Sequence, residues 1–313
     1  MKAQRVVWGE TLIELAHTDE RVLVVDGDLA TSTRADLFAD THPGRFIQGG
    51  IAEQNMVGVA FGLSTLGYRP WLSSFGVFLT NRALDQVRML VSQTVAPVRL
   101  AAAYTGVLNG ASGKTHHDIE DLAIMRAMPN MTVLAPADAA EARAVITWAA
   151  EHPGPVYLRL ARDPVGEITP ADYCFALGRP VRLSDGDAAV VVSTGVQSSR
   201  TAEAVAGLRV SELAVRHVHL PTIKPLDEAR LLDELSGFDT VVTVEDHNVI
   251  GGLGELVSGA LTGRGAAAQV HRIGLHDAWS ESGPNDFLLD KYGLSAARVE
   301  ATIRSAVGAP VAP

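Results

Sequence analysis

Two clusters of residues in this chain have the types and spacing to do chemistry. The first is Gly49-Gly50-Ile51-Ala52-Glu53-Gln54-Asn55-Met56. It sets one carboxylate, Glu53, in the first turn of a predicted helix whose residues Met56, Val57, Val59, Ala60, Phe61 and Leu63 leave no polar face. A helix apolar all round is expected to be buried. Glu53 then sits at the rim of a core, where a carboxylate shares a proton strongly. A glutamate there also complements the helix dipole, so a purely structural role fits it too. The second cluster is Gly113-Lys114-Thr115-His116-His117-Asp118-Ile119-Glu120. Adjacent histidines raise metal binding, but no cysteine or third histidine stands at useful spacing, so no metal site is expected on this chain.

Other groups could bind rather than react. Asp28-Leu29-Ala30-Thr31-Ser32 follows a predicted strand end, where ligands of α/β proteins usually sit. Ser32 or Thr33 could equally cap a helix beginning near Arg34. Phe75 and Phe78, in Ser74-Phe75-Gly76-Val77-Phe78, could stack on a flat ligand or simply fill the core. Arg5 and Arg162 offer planar forks of donors suited to a phosphate, or are solvated surface charges.

These groups need a scaffold. Short β-branched runs alternate with helix-length segments, which predicts an α/β fold of two doubly wound domains, each around a largely parallel sheet. In the first half, strands are expected at 22–25, 45–48, 70–75, 98–103, 132–134 and 156–160, with helices over 6–17, 53–65, 81–93, 119–127 and 138–151. Pro164, Gly166, Pro170, Gly178 and Pro180 mark a linker. The expected division is a first domain over 1–165, a linker over 166–185 and a second domain over 186–313. The second half shows strands near 188–192, 215–220 and 240–244, and helices over 198–208, 226–236, 252–262 and 294–307.

Composition narrows the function classes. The chain has 313 residues, is 47% hydrophobic and 20% charged, and carries a net charge of −10. That charge disfavours nucleic acid and anionic membrane surfaces as partners. A single cysteine, Cys174, excludes an internal disulfide and fits a reducing compartment. No signal peptide and no long uncharged apolar run is evident, so a cytoplasmic protein is expected.

The Gly50-Ile51-Ala52-Glu53 start, the Phe75/Phe78 pair and the Thr115-His116-His117-Asp118-Ile119-Glu120 stretch together resemble the pyrimidine-binding half of transketolases. The resemblance implies thiamine diphosphate as cofactor. Glu53 would hydrogen-bond a ring nitrogen of its aminopyrimidine and so activate it. Phe75 and Phe78 would stack on that ring, with Ile51, Asp28 and Leu29 close to the cofactor, the last two from across a subunit interface. His116 would contact the reacting oxygen of the substrate. Arg5, Ser32 and Arg162 match residues that hold a sugar phosphate. Two positions depart from the family: Tyr104 replaces a usual histidine and Ser112 a usual aspartate, which leaves donor and acceptor open.

The segment Val244-Glu245-Asp246-His247-Asn248, with Gly251-Gly252-Leu253-Gly254, is similar to the family's C-terminal domain. That domain implies assembly and no catalytic residues. The Gly-Asp-Gly motif that binds Mg²⁺ and diphosphate has no counterpart. The resemblance therefore implies one subunit of a split enzyme. An N-terminal, diphosphate-binding partner chain would supply the Mg²⁺ and diphosphate ligands, in an α₂β₂ heterotetramer acting on sugars or sugar phosphates. The expected reaction is transfer of a ketol unit from a ketose to an aldehyde. Two alternatives are the β subunit of a 2-oxo-acid dehydrogenase or decarboxylase, and a non-catalytic scaffold of a transketolase.

Overall fold

The computed structural model describes residues 1–309. The first half runs α1 (Gln4–Thr18), β1 (Val22–Asp26), α2 (Ala30–Thr33), α3 (Asp36–Thr41), β2 (Phe46–Gln48), α4 (Glu53–Thr65) and β3 (Arg69–Phe75). It continues with α5 (Leu84–Gln86), β4 (Arg99–Ala103), α6 (Asp121–Ala127), β5 (Thr132–Leu134), α7 (Ala139–Glu151) and β6 (Val156–Leu160). The second half runs β7 (Val181–Ser184), β8 (Ala189–Thr194), α8 (Gln197–Val210), β9 (Val215–Leu220), β10 (Thr222–Lys224) and α9 (Glu228–Leu235). It ends with β11 (Thr240–Asn248), α10 (Leu253–Gly263), β12 (Gln269–Leu275), α11 (Asn285–Lys291) and α12 (Ala296–Ala306).

Strands β1, β4 and β6 are buried along their whole length. Parallel strands covered by helices on both faces read as such continuous apolar runs. They belong to a seven-stranded sheet of order β10-β5-β6-β4-β3-β1-β2, parallel except where β10 pairs antiparallel with β5. A second sheet, of order β12-β11-β8-β9-β7, is parallel except for β7 on β9. The α/β expectation with two largely parallel sheets therefore holds. Residues 310–313 of the expected second domain lie outside the described residues.

The two sheets are locked together. β10 arises in the second half yet completes the first sheet. Arg159 on β6 grips the Asp121 carboxylate with Nε and Nη2 at 2.8 and 3.0 Å and donates to the Asp246 carbonyl of β11 at 2.7 Å. Tyr157 Oη donates to the same Asp121 at 2.9 Å. His219 on β9 meets Glu141 on α7 at 2.7 Å. All these groups are buried, and buried charges persist only when paired in this way.

Three expectations need correction. Helix α4 is not buried all round: Val59, Phe61 and Leu63 are half-buried, and Gly58 and Gly62 meet nothing on their open face. Ser32 and Thr33 do not cap a helix at Arg34. They lie inside α2, Arg34 adopts a left-handed conformation, and the Thr33 hydroxyl donates to Asp26 at 2.9 Å. The helix expected over 81–93 is irregular, with wide π-helical turns at Phe78–Arg82 and Val87–Ser92 on either side of α5. Among the described residues, no helix is long and apolar enough to cross a membrane.

Candidate active site

Parallel strands all present their C-terminal ends on one edge of the sheet, and ligands of α/β folds gather there. Here β2 leads into Gly49-Gly50 and Glu53, β1 into the Asp28–Ser32 loop, and β3 into Phe75–Phe78. β4 leads into the Tyr104–His117 loop and β6 into Arg162.

Gly50 takes a left-handed turn, with φ of 68°, that swings the chain from β2 into α4. Glu53, the first residue of α4, is thereby drawn inward and is only 1% exposed. Arg82 Nη1 donates to its Oε2 at 2.7 Å, and the Ser74 hydroxyl donates to Oε1 at 3.4 Å. Arg82 also lies over the Phe78 ring, 4.2 Å from its centroid. Sequence reasoning missed Arg82. Its position one helical turn after Phe78 was the available signal.

Phe75 and Phe78 stack with centroids 5.9 Å apart, and Tyr104 stacks on Phe75 at 4.2 Å. His116 meets both phenylalanines edge-on, at 6.0 and 5.5 Å. The Thr115 hydroxyl lies 2.8 Å from His116 Nδ1. Behind the Phe75–Phe78 turn lies Asp118, to which the Thr80 hydroxyl donates at 2.9 Å. Burial, helped by the neighbouring Asp121, holds the Asp118 carboxyl well above the usual carboxylate range. Gly76 is forced to be glycine, because a Cβ there would strike the Asp118 carboxylate.

The anion-binding candidates converge. Arg5 Nη1 donates to the Ser32 carbonyl at 2.5 Å and the Tyr104 hydroxyl at 3.0 Å, and its Nε donates to the Arg162 carbonyl at 3.0 Å. Arg162 faces the Tyr104 ring at 5.7 Å. Ser32, Phe75, Tyr104, Ser112 and Arg162 line a single cleft of about 430 Å³. Asp28 is not among the residues lining this cleft; its backbone N–H donates to the Gln48 side chain at 2.9 Å. Leu29 packs against the Phe75–Tyr104 pair. The Asp28–Ser32 loop is held from below by the buried Asp26, whose carboxyl accepts from Leu29 N–H at 2.8 Å. Burial raises the Asp26 pKa above its ordinary value. Ile51 is not gathered into the cleft; it is 74% exposed on the outer face.

The second domain reaches the cleft. Gly283, Pro284 and Asn285 form part of its wall, and Ser280 binds Nδ1 of the buried His117. His117 Nε2 donates to the Asn109 carbonyl at 2.9 Å, so Nδ1 accepts from the Ser280 hydroxyl. His117 is a strut of the loop, kept neutral by burial that lowers its pKa.

Taken as chemistry, the arrangement offers a dry carboxylate, a stacked aromatic shelf, a histidine over that shelf and a cationic end. The carboxylate and the shelf fit the pyrimidine end of thiamine diphosphate. Among the described residues, no group of three or more His, Cys, Asp or Glu could hold a metal ion.

Comparison with known proteins bears on the chain as a whole. Residues 1–166 match the family model described as transketolase, pyrimidine binding domain, and residues 178–299 that of transketolase, C-terminal domain. A Methanocaldococcus jannaschii protein, provisionally named a transketolase C-terminal section, is 39% identical over 94% of this chain and 92% of its own length. The 6-deoxy-6-sulfo-D-fructose transketolase subunit of a Clostridium species is 34% identical over 94% of this chain and 91% of its own. A solved structure described as a split gene transketolase, inactive beta4 tetramer, is 40% identical with a TM-score of 0.90, covering 98% of this chain and 99% of that one.

Proposed function

The chain belongs to the transketolase family, and we propose that it is the C-terminal subunit of a two-chain enzyme that moves a ketol unit from a ketose to an aldehyde. The observation that carries this reading is Glu53, a carboxylate almost wholly removed from water beside the Phe75–Phe78 shelf. Thiamine diphosphate, when bound, supplies the electron sink that scission next to a ketone requires. This chain would hold its pyrimidine end. Glu53 would accept and return a proton at its Oε atoms and Phe75 and Phe78 would fix the ring plane, with Leu29 packed against the Phe75–Tyr104 pair beside them. His116 orients a substrate oxygen over the shelf. Arg5, Arg162 and the Tyr104 hydroxyl take the anionic end of a sugar phosphate or a similarly charged sugar.

Mg²⁺ and diphosphate ligands would come from a partner chain. The Clostridium relative is named a subunit, and the 40%-identical structure is described as an inactive tetramer of β chains. Both support the view that this type of chain works only with its complement. The open face of α4, with Gly58 and Gly62, is a surface that another subunit could cover. An α₂β₂ assembly in the cytoplasm is the arrangement we favour.

Calorimetric titration of thiamine diphosphate with Mg²⁺ tests this reading, first into the chain alone and then into the chain with a diphosphate-domain partner. Binding only in the mixture is expected. Tight binding by the chain alone would overturn the split-enzyme reading.

A further inference from the structure

The C-terminal domain of this chain is expected, from sequence, to serve assembly alone. Its Asn285 does more than that. Asn285 opens α11 and stands in the wall of the cleft that contains Tyr104 and Arg162. Its Oδ1 accepts from the Gly110 N–H at 2.9 Å, which fixes the orientation of the amide. Both remaining donor positions on Nδ2 are used, one to the Leu108 carbonyl at 3.2 Å and one to Asp163 Oδ2 at 2.6 Å. The other oxygen of Asp163, Oδ1, accepts from Arg162 Nη1 at 2.8 Å. An unbroken line of hydrogen bonds therefore runs from the second domain through Asp163 to the guanidinium that faces Tyr104. The backbone reinforces the contact: Gly283 N–H donates to the Gly110 carbonyl at 2.9 Å, so close that a Cβ on Gly110 would strike the Gly283 carbonyl.

We infer that Asn285 is a positioning residue that, through Asp163, aims Arg162 at the charged end of the substrate. The inference rests on the proposal above that Arg162 binds that end. The physical reason lies in Arg162 itself. Its side chain is substantially exposed, and a free arginine must be immobilised on binding an anion. Asp163 tethers one edge of the guanidinium and leaves its other donors for the ligand. Asn285 keeps Asp163 from swinging away, and the cost of ordering is met before substrate arrives. The same side chain also holds the Leu108–Gly110 stretch of the loop that leads to His116.

The test uses the reconstituted two-chain enzyme and compares ribose 5-phosphate with ribose as acceptors. The measured quantity is the ratio of their kcat/KM values for the unmodified pair and for Arg162→Ala, Asp163→Ala, Asn285→Ala and the Asp163→Ala/Asn285→Ala double variant. The expected result is a roughly three- to tenfold fall in the ratio for either Asp163→Ala or Asn285→Ala, carried by KM for the phosphate ester. The double variant should be no worse than the single ones, because both break the same line. A ratio that collapses in Arg162→Ala but is untouched in Asp163→Ala and Asn285→Ala would overturn the inference and leave the anion-end reading standing. A ratio near one in the unmodified pair, or one that Arg162→Ala leaves unchanged, would overturn that reading and the inference with it. If Asn285→Ala does not fold, Asp163→Ala carries the test, since Asp163 is partly exposed and its hydrogen bond to the second domain is the one from Asn285.

Discussion

Replacing Glu53 with glutamine separates the chemical role of this carboxylate from its structural one. Glutamine keeps the length, the volume and an acceptor for Arg82, so the packing of α4 on β3 should survive. What is lost structurally is the charge on one side of the 2.7 Å contact with Arg82. Arg82 is 43% exposed at its side chain, so solvent screens the pair, and its worth is about 1 kcal/mol rather than the several of a sealed ion pair. In a chain of this size that corresponds to a fall in Tm of roughly 2–4 °C at most. The chemical loss should be far larger. A positioned proton-transfer group is worth about 10²–10⁴ in rate, and glutamine can neither take nor return a proton. The assay is ketol transfer by the reconstituted pair under saturating thiamine diphosphate, with a thermal melt alongside. The expected outcome is a kcat lower by two to four orders of magnitude on a nearly unchanged melt. A variant that retains more than a tenth of the activity would refute the proposal, and so would a loss of activity that merely tracks unfolding.

Other outcomes follow from the same geometry. Arg159→Met should destabilise the chain by about 3–5 kcal/mol in urea unfolding, because it strands the buried Asp121 carboxylate. Gly110→Ala should lower both stability, by about 1–3 kcal/mol, and transfer activity, because the Cβ would press on Gly283 and Asn285; a neutral result would contradict the close backbone contact. Glu245 accepts from the Leu253 and Gly254 N–H groups, yet burial pushes its pKa up to about 7. The folded chain then keeps a proton that the unfolded chain releases near pH 4.5, so this group's contribution to stability is full below that pH and is lost as pH rises through about 7. Relative to Glu245→Gln, the unmodified chain should lose ~3 kcal/mol between pH 5 and 8 in denaturant titrations. A constant difference between the two would show that the carboxyl is not raised.

Much of this was legible in the sequence. The fully buried parallel strands β1, β4, β6 and β8 announced themselves, and β5, β6 and β9 have the bounds expected of them, whereas the half-exposed parallel strand β12 was not expected. The Phe75, His116, Ser32 and Arg162 segments lie far apart in the chain, yet each follows a strand end, so the parallel sheet was bound to bring them to one edge. What could not be read were the contacts that depend on the third dimension. Arg82 follows Phe78 by one helical turn, but nothing in that spacing names Glu53 as its partner. Asn285 lies in a short polar stretch whose partners, Asp163 and Gly110, belong to the other domain. The open face of α4 misled because an apolar sequence shows that a surface must be covered, and not whether the same chain covers it. Thr33 was read as a helix cap, but a buried carboxylate, Asp26, took its hydroxyl instead.

The three residues of β10 have a consequence for how this protein can be cut. They cross from the second half to sit as the outermost strand of the first sheet, beside β5. A fragment ending in the connecting segment would leave the β5 edge bare, with a row of unused N–H and C=O groups. Such a fragment should associate edge to edge rather than remain a monomer. Conversely, the second half alone would carry an orphan strand with nothing to pair with. The two halves are therefore poor candidates for shuffling as modules, and the intact chain should melt in one calorimetric transition.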